Sequence, residues 1–180
     1  MAATQYVAFL RAVNVGGRIV KMAELKKTFE AAGFDDVSTF IASGNVIFRS
    51  PNAAPGLENQ IERALQKALG YTVTTMVRSA GAVADVATYE AYSVKELSGG
   101  TLYVGFAQRR PAPAAIRKVL ALQTTIDELR VNGREIYWLA RKNIAESTIS
   151  MAAIEKAAAT PLTFRNINTV RRLAAKYPGR

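Results

Sequence analysis

Three polar clusters in this chain carry residue types able to do chemistry. The first is Arg11 with Asn14-Val15-Gly16-Gly17-Arg18, followed closely by Lys21. The second is Ser43-Gly44-Asn45. The third is Thr163-Phe164-Arg165-Asn166-Ile167-Asn168-Thr169. Their working groups are guanidinium, carboxamide, hydroxyl and the backbone N–H groups that glycine leaves uncovered. Such groups orient ligands and hold anions. None of them accepts a proton readily near neutral pH. The Asn14–Gly17 run is not a phosphate-binding P-loop, since no Gly-Lys-Ser/Thr follows, and it does not match the dinucleotide fingerprint.

The rest of the composition narrows the chemistry further. The 180 residues include no histidine and no cysteine. This excludes disulfides, thiolate nucleophiles, iron–sulfur clusters, the Ser-His-Asp triad and histidine metal triads. Tyr6 or Lys21 would serve as a base only with a strongly shifted pKa. The adjacent acids Asp35-Asp36 and Asp127-Glu128 point partly apart, which makes a poor metal site. No metal and no cofactor is expected.

Each cluster has a structural reading beside the functional one. Gly and Asn in tight turns commonly serve positive φ alone. Arg165, Asn166 and Asn168 either hold a helix start against neighbouring carbonyls, as a buried structural knot, or bind an anion at that helix N-terminus.

The elements that must position these clusters follow from periodicity. Residues 5–11 read as a strand apolar on both faces. Met22, Leu25, Phe29 and Ala32 recur at helical spacing, with Gly33 as a stop. Residues 37–41 and 46–48 read as strands joined by Ser43-Gly44-Asn45. A loop over 50–56 precedes a helix marked by Leu57, Ile61, Leu65 and Ala68, and residues 71–77 are β-rich. The order is βαββαβ.

The second half starts with a short helix after Ser79, an N-cap residue, then a strand over 102–107 and a helix opening at Pro111 and Pro113. Strands over 126–131 and 135–140 flank the hairpin signal Asn132-Gly133. A helix over 148–158 and a last helix to Tyr177, with Thr163 as its cap, complete the order βαββα.

The expected fold is α+β: two duplicated ferredoxin-like halves packed together, residues 1–78 and 79–180, the second with an extra C-terminal helix. One continuous mixed sheet is the alternative. In the first half the loop after strand one and the hairpin after strand two end at the same sheet edge. Asn14–Gly17 and Ser43–Asn45 are therefore expected side by side, with Arg18 and Lys21 nearby.

Charge is unevenly placed. Residues 1–90 carry nine Lys/Arg and eight Asp/Glu, whereas residues 91–180 carry fifteen and six, for a net charge of +10 overall. A basic half suits a polyanionic partner such as nucleic acid or a phosphorylated ligand, or simply a solubilising surface. No apolar run approaches the ~20 residues that span a membrane. The start, Met1-Ala-Ala-Thr-Gln5, lacks a signal-peptide pattern, so a cytoplasmic protein is expected.

Leu10-Arg11-Ala-Val13-Asn14-Val15-Gly16-Gly17, Met22 and Leu25, Ser43-Gly44-Asn45, then Thr163-Phe-Arg165-Asn166-Ile-Asn168-Thr169-Val170 and Leu173 together resemble the domain of unknown function 1697 (DUF1697) family. The resemblance spans nearly the whole chain. It implies a cytosolic, mostly bacterial α+β protein with a duplicated ferredoxin-like layout, and it implies no reaction. One departure is Ser147-Thr148-Ile149, where members of the family often show a Ser-Lys-Leu-like stretch. Here the lysine is absent and Ser147 reads as an N-cap.

Three functions fit these residues. The first is a binding protein for an anionic ligand, seated on Arg11, Asn14, Gly16, Gly17, Arg18, Ser43, Gly44, Asn45, Arg165, Asn166 and Asn168. The second is an enzyme using Arg11, Asn14, Ser43, Asn45, Arg165 and Asn168 to orient and stabilise a substrate. The third is a structural or interaction module, with alanine-rich helices at 114–121 and 152–159 against a partner. RNA reading by sheet aromatics is disfavoured, because Val46–Arg49 lacks the basic, glycine and alternating-aromatic run.

Overall fold

A computed structural model of the chain describes residues 3–14, 19–41 and 44–178. The fold is α+β with two four-stranded antiparallel sheets, not one continuous sheet. The chain divides into two compact units, residues 1–85 with 172–180, and residues 86–171.

The first unit runs β1 (Thr4–Leu10), α1 (Met22–Ala31), β2 (Asp35–Phe40), β3 (Asn45–Ser50), α2 (Ala54–Leu69) and β4 (Thr75–Ser79). The strands lie in the order β2-β3-β1-β4. Every second residue of a strand faces the same way. Tyr6, Ala8, Leu10, Val46, Phe48 and Val77 thus share one core with Leu25 and Phe29 of α1 and Leu57, Ile61 and Leu65 of α2. Phe48 is its centre, with ring centroids of Tyr6, Phe29 and Phe34 at 5.7, 5.6 and 4.6 Å. Val7, Phe9, Ile47 and Met76 point the other way and are buried too, as the two-sided apolar pattern of residues 5–11 requires.

The helix stops are glycine-based. Gly70 takes a left-handed φ of 78° and its N–H bonds the carbonyl of Gln66. At the other end of α2, Pro55 and Gly56 are not helical, so the regular helix begins at Leu57, where its apolar stripe begins.

The second unit contains β5 (Thr101–Ala107), α5 (Pro113–Leu120), β6 (Asp127–Asn132), β7 (Glu135–Ala140), α6 (Met151–Ala158) and β8 (Leu162–Asn166). The short helices α3 (Ala80–Thr88) and α4 (Val94–Leu97) precede β5, and α7 (Ile167–Lys176) follows β8. The order β6-β7-β5-β8 repeats that of the first sheet. Trp138, Ile136, Leu129, Val119 and Ile154 fill its core.

Three local expectations change. A strand, β8, occupies the place read as the start of the last helix; it pairs with β5 from Ala107↔Leu162 to Tyr103↔Asn166. Thr163 and Phe164 are strand formers, and cross-strand pairing overrides the capping signal at Thr163. Asn166 opens the helix instead, its Oδ1 accepting the N–H of Asn168 at 2.9 Å. Ser150, rather than Ser147, caps α6, accepting the N–H of Ala153 at 3.1 Å. The β6–β7 turn is Gly133-Arg134, closed by the Asn132↔Glu135 pair, with positive φ at Gly133 and not at Asn132. Ser79 does cap α3 through the N–H of Ala82 at 3.2 Å. Among the described residues no helix is long and apolar enough to cross a membrane.

Candidate functional site

In the first unit, β1 and β2 both run antiparallel to β3 and so end at the same edge. The chain leaving β1 meets the β2–β3 hairpin there. Leu10 N–H donates to the Gly44 carbonyl at 2.8 Å, and Arg11 N–H donates to the Thr74 carbonyl at 2.9 Å. Gly44 has φ +74°, and a Cβ on it would lie 3.2 Å from Leu10 Cβ and 3.3 Å from the Leu10 carbonyl oxygen. Glycine is needed here twice over, for its backbone angle and for the closeness of the neighbouring strand.

The two asparagines fix this junction. Asn14 Oδ1 accepts the N–H of Val20 at 2.8 Å. Asn45 is fully buried and its Nδ2 donates to the Phe40 carbonyl at 3.0 Å. Arg11 is exposed at the same edge. Gly16, Gly17, Arg18 and Ser43 lie outside the described residues. At the end of β2, Arg172 and Lys176 stand over the Phe40 ring at 5.3 and 5.7 Å, so cations cover its face.

Arg165, Asn166 and Asn168 belong to the second unit. Arg165 sits on β8 opposite Val104 and is only 8% exposed. Its Nη1 donates to Thr163 Oγ1 and to the Phe164 carbonyl, each at 2.8 Å. Burial pulls the guanidinium down to about 10, which leaves it cationic at neutral pH. Asn166 is occupied at the start of α7 by the N–H of Asn168.

Two polar networks of the second unit were not read as networks from sequence, where Asp127, Glu128 and Ser147 stood out only singly. The first centres on Glu96. Ser93-Val94-Lys95-Glu96 is a capping box: the Ser93 N–H donates to Glu96 Oε2 at 2.7 Å, and the Glu96 N–H donates to Ser93 Oγ at 3.3 Å. Arg130 reaches Glu96 at 2.6 Å and lies 4.2 Å from the Tyr92 ring centroid. Arg141 bonds the Glu128 carboxylate and the carbonyls of Glu96 and Ser98. The Ser-x-x-Glu spacing was the readable signal. An open cleft of about 450 Å³ beside this network is lined by Gly99, Gly100, Tyr103, Arg141, Lys142 and Asn143 among others, and takes none of the candidate ligand-binding residues.

The second network is the buried carboxyl group of Asp127. Trp138 Nε1 donates to its Oδ1 at 2.8 Å, while Thr124 Oγ1 and Ser147 Oγ lie 3.1 and 2.9 Å from its Oδ2. Ser147 thus ties its loop to β6. Asp127 and Glu128 point apart, one to Trp138 and the other to Arg141. Among the described residues no three acids gather into a metal-binding group.

Hydrogen bonds from Ser93, side chain and backbone, with Arg130 adding to them, hold Glu96 down at about 2, against an ordinary 4.5. A depressed carboxylate stabilises the fold above its unfolded value and loses that contribution as pH falls toward the folded one. Glu96→Gln is therefore expected to lower the melting temperature near neutrality. Its difference from the native chain should close between pH 4.5 and about 2. Melting curves across that range check it; a difference that persists unchanged at the acid end would show that Glu96 acts by packing instead.

Comparisons with known proteins bear on fold and family. A solved structure described as "The structure of conserved bacterial protein SP0830 from Streptococcus pneumoniae" superposes with a TM-score of 0.74 at 20% identity. The match covers 97% of this chain and 98% of that one, which shows a shared fold. No curated protein matches the chain. Residues 3–137, well over half of the sequence, match the family described as "Protein of unknown function (DUF1697)", and the chain belongs to that family.

Proposed function

We propose that this protein is a cytosolic binding protein for a small anionic ligand, such as a phosphorylated metabolite, seated where the loop after β1 meets the β2–β3 hairpin. The observation that carries the reading is the junction at Gly44, where hairpin backbone and strand end approach closely enough to crowd any side chain, beside the exposed Arg11. An exposed guanidinium at this junction favours negative charge. Asn14 and Asn45 fix the two segments that form the site. Gly16, Gly17, Arg18 and Ser43 complete the motif in sequence. The contacts of Arg165 and Asn166 favour the structural-knot reading for the third cluster, with Asn168 held in the same helix start.

We also infer that both units are ferredoxin-like. The antiparallel orders β4-β1-β3-β2 and β8-β5-β7-β6, each with two crossover helices, support this.

The binding reading is tested by thermal shift with inorganic phosphate, pyrophosphate and a panel of sugar and nucleoside phosphates. A ligand at 100 times its Kd adds about 2.7 kcal/mol to stability. Arg11→Gln should weaken that ligand roughly tenfold, as loss of one charge-assisted contact does. The reading fails if no anion stabilises the chain beyond chloride at equal ionic strength, or if Arg11→Gln leaves binding unchanged.

A further inference from the structure

One corner of the second unit is open where its counterpart in the first is closed. The first strand of each unit carries a tyrosine opposite an aromatic residue of the third strand, Tyr6↔Phe48 in the first unit and Tyr103↔Trp138 in the second. The ring centroids lie 5.7 and 5.8 Å apart. In the first unit Tyr6 is buried and its hydroxyl donates to the Asn52 carbonyl at 3.1 Å. The pairs Thr4↔Ser50 and Thr101↔Ala140 make Lys142 the counterpart of Asn52. In the second unit Tyr103 is half-buried, and its hydroxyl has no hydrogen-bond partner among the described residues. It lines the open cleft of about 450 Å³ instead.

The lining of this cleft contains two cations and no carboxylate. Arg141 is committed: it pairs with Glu128 and bonds the carbonyls of Glu96 and Ser98. Lys142 is exposed and has no partner of its own among the described residues. The nearest acid along the chain is Glu146, which is exposed and outside the lining, and its charge offsets part of the field of Lys142. The cleft thus presents one positive charge, too little to select a phosphate dianion or a polyanion. The neutral groups beside it donate. Asn143 Oδ1 is taken by the N–H of Ala145 at 3.1 Å, which leaves its Nδ2 to donate, and Tyr103 and Thr101 add hydroxyls. An ammonium, an amide N–H and a hydroxyl match the lone pairs of one carboxylate. The volume suits a small organic molecule, and the Tyr103 ring and Ile144 give it an apolar side to rest on.

We propose that the cleft bounded by Tyr103, Lys142 and Asn143 is a binding site for a small organic monocarboxylate, whose carboxylate is held by Lys142 and the Tyr103 hydroxyl. It is a different site from the one proposed at Gly44 and does not depend on it.

The test is a saturation-transfer NMR titration of the full chain with acetate, benzoate, phenylacetate and N-acetylalanine, each beside its own amide. At least one carboxylate is expected to bind roughly tenfold or more tightly than its amide. K142Q should weaken that carboxylate roughly tenfold and leave the amide unchanged. Y103F keeps the ring and should weaken it about threefold to tenfold at an unchanged melting temperature, because the hydroxyl serves no bond of the fold. Y6F is the contrast: it loses the bond to Asn52, so it should lower the melting temperature and leave carboxylate affinity at the native value. The proposal is overturned if none of the carboxylates binds, if the amides bind equally well, or if K142Q and Y103F both leave the affinity unchanged. It is also overturned if Arg11→Gln alone abolishes carboxylate binding, which would place the anion in the first unit and support the reading at Gly44.

Discussion

Asp127→Ala is expected to lower the stability of the second unit by about 2–4 kcal/mol, from one buried donor left unmet and the hydroxyl bonds lost with it. Asp127 and Trp138 are both fully buried, and Trp138 Nε1 has the Asp127 carboxyl as its acceptor at 2.8 Å. Alanine leaves that indole N–H in the core with neither protein nor solvent to receive it, which alone costs about 1–3 kcal/mol. Thr124 and Ser147 lose a partner in the same step, though Ser147 keeps the Ile149 carbonyl at 2.9 Å. Asp127→Asn is far milder, about 1 kcal/mol, because its carbonyl still accepts from Trp138 and its amide donates to the two hydroxyl oxygens. Trp138 is the one tryptophan of the chain, so its fluorescence during urea unfolding reads this unit directly. Equal losses for the two substitutions would mean that shape, rather than the hydrogen bonds, is what Asp127 supplies.

What was legible in the sequence is what depends on local periodicity and topology. The two-sided apolar strand at 5–11, the Gly33 and Gly70 stops and the stripe of Leu57, Ile61 and Leu65 are set by residues a few positions apart, and they appear as read. The meeting of the β1 end with the hairpin followed from strand direction alone, and the Leu10–Gly44 bond realises it. What was illegible depends on partners far along the chain. Residues 162–166 carry a capping signal as well as strand formers, and pairing with β5, some 60 residues earlier, decides between them. Asp127 looked like half of a weak acidic pair, because its partners Trp138 and Ser147 lie 11 and 20 residues away. Arg165 could be a ligand group or a structural one by sequence; its contacts with Thr163 and Phe164 come only with the strand.

Gly44→Ala is the second large effect, and pairing it with Gly33→Ala separates two causes. Gly33 has φ +87° with nothing within 4 Å of an added Cβ, whereas Gly44 has φ +74° with Leu10 Cβ at 3.2 Å and the Leu10 oxygen at 3.3 Å. Both substitutions force an L-residue into the left-handed region, at about 1–2 kcal/mol. At Gly44 the added methyl must also push on β1, whose Leu10 is buried and held by its bond to the Gly44 carbonyl. Strand backbone cannot swing aside as a long side chain can, and crowding of this kind costs about 1–3 kcal/mol. The expected losses are thus about 1–2 kcal/mol at Gly33 and about 2–5 kcal/mol at Gly44. Gly44→Asn, whose side chain tolerates positive φ, should recover only the backbone part and stay well above Gly33→Asn. Denaturant midpoints for the four variants measure this. Equal losses at the two positions would reduce Gly44 to an ordinary turn residue and remove the observation on which the anion-site reading rests.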